Sequence, residues 1–244
     1  MNPTEPQAPA VDPDQDPRRF PWKSFRRRLR AYLKLTFIVS LFLGIIFHRP
    51  LFLQNLKAVD SRMIRSAQPS EDLADWIRDY NLASILNLRG GSPADAWYTH
   101  EVKTAAENDV AFFDYPMQAT RRPLRRDLLT LIDFLQSAPY PLLVHCKHGA
   151  DRTGLAVALY RMVRLDEPPE LAMNAFSIFH GHIPIAGTGR LHEPLNEYAK
   201  WLSDHRLPHS PDRFRNWVRD EYQSDEPSID PRPLAAGPRA FGRE

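Results

Sequence analysis

Short apolar runs alternate along this chain with longer stretches of helical period. Residues 63–67, 82–88, 110–115 and 141–144 read as strands, the last of them a short apolar run. Between them, 71–80, 95–108 and 124–137 carry helical spacing. In the last of these, Leu128, Leu131, Ile132 and Leu135 fall on one stripe. Ser70 is the predicted N-cap of the first helix, and Trp97 and Val102 are the predicted inner side of the second. Residues 155–163 are apolar on most faces, as suits a buried central helix. Asp166-Glu167-Pro168-Pro169 then turns the chain into a further helix, 176–182 reads as loop, and 191–202 and 212–221 are closing helices, the first preceded by Gly187-Thr188-Gly189-Arg190. Strands alternating with helices predict an α/β fold, a central mostly parallel sheet flanked by helices.

The ends differ from this domain. Residues 1–17 hold Pro3, Pro6, Pro9, Pro13 and Pro17 among small and acidic residues, and 224–244 hold Pro227, Pro231, Pro233 and Pro238; both compositions are those of disordered tails. Arg18, Arg19, Lys23, Arg26, Arg27, Arg28 and Arg30 form a basic block, and 31–47 is apolar apart from Lys34, Thr36 and Ser40. Its seventeen residues rise about 25 Å as a helix, a little short of a hydrocarbon core, so a span requires Lys34 and Arg49 to snorkel. An amphipathic or core helix is the alternative, although the run shows no polar face. A cleaved signal peptide lacks a small-x-small site after Phe47. The expectation is an uncleaved transmembrane signal anchor at 31–47. The basic block is read as its flank and not as a nucleic-acid site, so the N-terminus lies in the cytoplasm and the α/β domain is extracytoplasmic. The organisation is then a tail at 1–30, the anchor, a linker at 48–58, a domain at 59–223 and a tail at 224–244.

The candidate chemistry is concentrated in ten residues, His145-Cys146-Lys147-His148-Gly149-Ala150-Asp151-Arg152-Thr153-Gly154, set between the last strand and the central helix. In a strand, tight loop and helix arrangement, the N–H groups from Lys147 to Arg152 can converge on one point. Gly149 permits the dihedrals such a turn needs, and the helix N-terminus adds positive potential. An oxyanion belongs there. Cys146, the only cysteine of the chain, opens the loop where the same dipoles favour the nucleophilic thiolate. Arg152 offers a planar fork for two phosphoryl oxygens, and Thr153 brings a hydroxyl near the sulfur. Lys147, His148, Gly149, Ala150, Thr153 and Gly154 make up the predicted phosphate-binding set, with His145 orienting the loop. A sulfurtransferase of rhodanese type also cups a cysteine at a strand end, but Arg152 at the sixth position favours phosphate chemistry.

This run is similar to the Cys-x5-Arg-Thr/Ser signature of the cysteine-dependent protein tyrosine phosphatase superfamily, and its Lys and Gly placement resembles the atypical dual-specificity branch, including bacterial membrane-anchored or exported members. Residues 61–69, Ser-Arg-Met-Ile-Arg-Ser-Ala-Gln-Pro, resemble that branch's opening strand and are read as scaffold. The resemblance covers 59–203. It implies a compact dual-specificity-type domain and a two-step reaction: Cys146 attacks phosphorus, a phosphocysteine forms, and water releases phosphate, with no metal and no cofactor. The implied substrate is a phosphoprotein of tyrosine or dual-specificity type. The alternatives are a phosphoinositide or phospholipid headgroup and, further off, a catalytically silent phosphate-binding module. The sequence sets no oligomeric state.

The proton donor departs from the family's pattern. Most relatives carry an aspartate on the loop after the third strand, whereas residues 116–120 read Pro-Met-Gln-Ala-Thr. Asp114 lies earlier, at the strand end. Asp151, inside the loop beside Arg152, is the candidate catalytic acid, set against a loop-stabilising hydrogen bond or an ion pair with Lys147. Arg89 is expected either near the cup or in an exposed turn, and Arg121 and Arg122 are expected to be solvated. His180 and His182 have no Cys, Asp or Glu beside them and read as loop residues and not as metal ligands.

Overall fold

The structure, a computed structural model, describes residues 22–52, 54–185, 187–224 and 239–241. The chain divides into two compact units, 1–45 and 46–244. The first contains most of helix α1 (Trp22–Phe52).

The second unit is built on one sheet. Strands β1 (Lys57–Ala58), β2 (Met63–Ser66), β3 (Ser84–Asn87), β4 (Ala111–Asp114), β5 (Leu142–His145) and β6 (Arg239–Phe241) run in the order β1-β2-β5-β3-β4-β6. The four inner strands are parallel, and β1 and β6 close the edges antiparallel. β2, β3 and β5 are buried along their whole length, so none shows an alternation of buried and exposed positions, and the polar Arg65, Ser66, Ser84 and Asn87 are buried with the rest.

Helices cover both faces. Of α2 (Leu73–Tyr80), α3 (Ala96–Glu107), α4 (Arg125–Ser137), α5 (Asp151–Arg164), α6 (Pro169–Ala172), α7 (Glu193–His205) and α8 (Pro211–Asp220), the first two pack on one face. There Leu73, Trp76, Tyr98 and Ala105 meet Ile64, Ile85, Phe112 and Leu143. On the other face, α5 is buried from Thr153 through Tyr160 and lies in one core with Leu128, Leu131, Leu195 and Phe214. In register, Ser66 and Asn87 both pair with His145, and Asn87 pairs with Asp114. The carboxyl ends of β2, β5, β3 and β4 therefore finish level, and the chain leaves β5 at Cys146 between the ends of two neighbours. Open parallel sheets bind ligands at this kind of crevice.

Several expectations are corrected. The membrane span over 31–47 is not shown: its residues lie in α1, but among the described residues no helix is long and apolar enough to cross a membrane. Charge limits the run, since the uncharged stretch 35–47 rises only about 20 Å against about 30 Å of hydrocarbon. The 48–58 linker contributes the end of α1 and the edge strand β1. The tail over 224–244 contributes β6, which pairs with the otherwise open edge of β4; 225–238 and 242–244 lie outside the described residues, as does the tail at 1–17. Asp72, not Ser70, occupies the N-cap of α2. Trp97 and Val102, the expected inner side of α3, do pack against the core shared with α2, partly buried, while the helix's buried positions are Tyr98, Glu101, Thr104 and Ala105.

Candidate active site

The loop after β5 takes its shape from where its carbonyls point. The Lys147 carbonyl accepts from the Gln68 N–H at 3.3 Å, the His148 carbonyl from Asn55 Nδ2 at 2.9 Å, and the Gly149 carbonyl from Arg65 Nη2 at 2.8 Å. A planar trans peptide points its C=O and the next N–H in opposite directions. With three successive carbonyls held outward, the N–H groups of His148, Gly149 and Ala150 face inward. Among the described residues, none of the N–H groups from Lys147 to Arg152 donates to another residue. Gly149 allows this path: its φ is +67°, and a Cβ there would stand 2.5 Å from the Ser66 carbonyl oxygen. The loop feeds directly into α5, whose N-terminus adds its own positive potential. The result is an anion cup.

Cys146 sits at the floor, 3 % exposed and in no disulfide. Lys147 and His148 are exposed at the rim, Gly149, Ala150, Thr153 and Gly154 are buried, and Asp151 and Arg152 are half-buried. Arg152 Nη1 donates to the carbonyls of Leu88, at 3.2 Å, and Met117, at 3.1 Å, so its guanidinium is pinned at the ends of β3 and β4. The His148 imidazole is pushed below its ordinary value by desolvation first and by the Lys147 charge second. Arg89 also lowers it, which places that residue within electrostatic reach of the rim while its guanidinium stacks 3.8 Å over Trp97. The Thr153 hydroxyl is buried and has no hydrogen-bond partner among the described residues. His145 is fully buried with its Nε2 2.6 Å from Glu101 Oε1, so it ties the end of β5 to α3.

The two candidate acids are both engaged. Asp114 Oδ2 accepts from the Tyr98 hydroxyl at 3.2 Å, and burial together with that carboxylate pushes the phenol above its ordinary value. Asp151 Oδ1 lies 2.7 Å from His182 Nδ1; its partner is a histidine and not Lys147. His182 is buried, packed between the rings of Phe176 and His192 at 4.9 and 5.6 Å. His180 is buried as well, its Nδ1 3.0 Å from Asn55 Oδ1. Both histidines, expected to be ordinary loop residues, dock the 176–182 segment against the cup. Among the described residues no group of three or more His, Cys, Asp or Glu is arranged to hold a metal ion. Arg122 is not solvated: it pairs with Glu197 and Glu193 and lies 4.7 Å over the Tyr222 ring.

Sequence reasoning missed Asn55, Arg65, Gln68 and His182. Their partners stand 31 to 125 residues away along the chain, so no local pattern marks them; only the likeness of 61–69 to a family strand touched this group, and it was read as scaffold.

Comparison with known proteins places this geometry. A model of the family described as DSP-PTPase phosphatase fused to NAD+ kinase matches residues 54–182. Inositol diphosphatase DSP5 of Arabidopsis thaliana is 26% identical over 115 residues, 45% of this chain and 54% of that protein. Inositol diphosphatase DSP4 of the same plant is 26% identical over 129 residues, 50% and 60% respectively. The chain thus spans a little over half the length of these relatives. The crystal structure of P. aeruginosa TpbA matches with a TM-score of 0.50 at 20% identity, covering 69% of this chain and 92% of that one, a likeness of fold.

Proposed function

This chain belongs to the family of DSP-PTPase phosphatases fused to NAD+ kinase, and from that premise we propose that it hydrolyses phosphomonoesters through a phosphocysteine formed on Cys146. The observation that carries the reading is the cup, in which inward N–H groups, a helix N-terminus and a pinned arginine meet above a buried thiol. The Cys146 sulfur attacks phosphorus, forming the S–P bond as the ester P–O bond breaks. The N–H groups and Arg152 carry the charge spreading over the three phosphoryl oxygens. Asp151 protonates the leaving oxygen, then takes a proton from the water that cleaves the phosphocysteine, returning the thiolate and releasing inorganic phosphate. Hydrolysis of p-nitrophenyl phosphate that survives in Cys146→Ser overturns this reading.

The acid assignment has its own test, which is leaving-group dependence. Asp151→Asn is expected to slow alkyl phosphate hydrolysis by about 10²–10⁴ and p-nitrophenyl phosphate by less than about tenfold, because a good leaving group hardly needs a proton. Equal losses on both substrates assign Asp151 to holding His182 and the loop.

We propose a phosphorylated protein side chain, phosphotyrosine first, as the substrate class. Ile178, Phe179 and Ile183 are exposed on the segment docked beside the cup, an apolar rim suited to an aromatic ring. Inositol phosphates and phospholipid headgroups are the second reading, favoured by the exposed Lys147 and His148 and supported by two relatives named inositol diphosphatases. A panel of phosphotyrosine peptides, phosphoinositides and soluble inositol phosphates, compared by kcat/KM, separates them.

We further infer that α1 associates with a lipid bilayer. Its Leu35, Phe37, Ile38, Leu41 and Phe42 side chains are all exposed, and Arg26, Arg27, Arg28 and Arg30 precede them as a basic flank for anionic headgroups. Flotation with anionic vesicles, lost on removal of 1–45, is the expected result; equal flotation of the truncated protein overturns it.

A further inference from the structure

Arg65 is the least economical residue in the fold. It lies in β2 with all its strand neighbours buried and is itself 2 % exposed. Its Nη1 donates to the Ala175 carbonyl and its Nη2 to the Gly149 carbonyl, both at 2.8 Å. Two neutral carbonyls orient a guanidinium but do not cancel its charge. Among the described residues no carboxylate pairs with it. Glu101, the one acidic residue fully buried among them, is occupied by His145 and Gln68. Burial lowers Arg65 to about 10, which still leaves it a cation at neutral pH, and the group acting against that fall is Cys146. An unpaired buried ion is expensive, and a fold keeps one where an opposite charge appears.

We propose that Arg65 is the buried counter-ion of the Cys146 thiolate, a positioning residue that favours the ionised nucleophile from the sheet side while fixing Gly149 in its anion-binding path. The inference rests on the reading of Cys146 as nucleophile. It gives the two arginines separate tasks. Arg152, half-buried at the strand ends, is available to the phosphoryl group, whereas Arg65 is sealed from substrate and acts on the sulfur and on the loop backbone at Gly149. Because the thiolate attacks in the first step and leaves in the second, one fixed cation serves both.

The test is alkylation of the full-length protein by iodoacetamide at pH 6, where the thiolate fraction sets the rate. Arg65→Gln keeps a donor but removes the charge, and is expected to lower the alkylation rate about tenfold, with kcat on p-nitrophenyl phosphate falling in parallel. Arg65→Lys keeps the charge but cannot reach both carbonyls, and is expected to stay within about threefold of wild type in alkylation. A folded Arg65→Gln protein that alkylates as fast as wild type overturns the proposal, even if its turnover drops. If Arg65→Gln does not fold, Arg65→Lys decides: retained alkylation supports the counter-ion role and a tenfold loss overturns it. Failure of the nucleophile reading shows separately, as turnover that survives in Cys146→Ser.

Discussion

The two sides of the phosphate loop are built in different ways. On the α5 side everything is local: Cys146, the inward N–H groups, Arg152 and the helix N-terminus follow one another within ten residues. On the sheet side nothing is local. Asn55, Arg65 and Gln68 reach the loop's carbonyls from the first part of the domain, and Asn55 also holds the His180 carbonyl, 125 residues away. The local half supplies groups that can touch a phosphoryl oxygen. The distant half supplies the orientation without which those groups would point at random. Chemistry can be written in a short motif, but its preorganisation needs the rest of the fold.

Breaking the local half should hurt turnover and spare folding. Arg152→Lys keeps a cation but loses the planar fork, and kcat on p-nitrophenyl phosphate should fall by about 10²–10³ while the melting temperature stays within about 2 °C of wild type. An equal fall in stability would move Arg152 into the structural half.

Gly149 is where the halves meet. In Gly149→Ala the new Cβ lies 2.5 Å from the Ser66 carbonyl oxygen and 2.6 Å from the Ala67 nitrogen, both backbone atoms, at a φ of +67°. The loop must move off β2, and a displacement near 1 Å is worth about 10² in rate. Inhibition by vanadate should weaken in step with kcat; unchanged inhibition would mean that the loop tolerates the methyl group.

These two halves also divide what the sequence makes legible. The four inner strands and the helices α2 to α5, α7 and α8 follow from period and run length, because each buries one continuous apolar face or run. The cup follows from a motif whose members are neighbours. The edge strands β1 and β6 do not, since two or three residues carry no period. α1 shows a run of apolar residues correctly and its extent incorrectly, because helix continues through the basic block where side-chain charge does not oppose backbone bonding. His182 and Arg65 were illegible for a different reason: a buried polar side chain is specified by its partner, and the partner is distant.

Asn55→Ala tests the distant half by itself. The residue is fully buried, and its amide bridges the His148 and His180 carbonyls at 2.9 and 2.7 Å. Truncation leaves the buried His180 carbonyl and the part-buried His148 carbonyl without that donor, so stability should fall by about 1–3 kcal/mol in urea unfolding. Turnover should fall by only about tenfold, since Gln68 and Arg65 still hold their carbonyls. A loss of rate as large as that of Arg152→Lys would show that the clasp acts as one unit.

The smallest expected effect lies at the rim, where His148 belongs to the local half but is tuned by its neighbours. Its value is lowered by desolvation first, then by Lys147, with Arg152 and Arg89 adding to the fall and Asp151 opposing it. At pH 7 the ring is therefore neutral. Between its folded value and the ordinary one near 6.5 the unfolded chain holds the extra proton, so this residue's effect is a loss of stability as pH falls through that window. A bound anion reverses the sign, because its charge favours the protonated ring. Anion binding must then take up a proton and tighten in the same window. Sulfate is the suitable probe, since it stays dianionic throughout, whereas phosphate itself titrates. His192, also lowered, faces His182 and Glu193. Its contribution is common to wild type and variant. Sulfate should bind about threefold more tightly at pH 5.5 than at pH 7, the scale of an exposed charge contact. In His148→Gln that gain should disappear; the same pH dependence in the variant would assign the proton to another group of the cup.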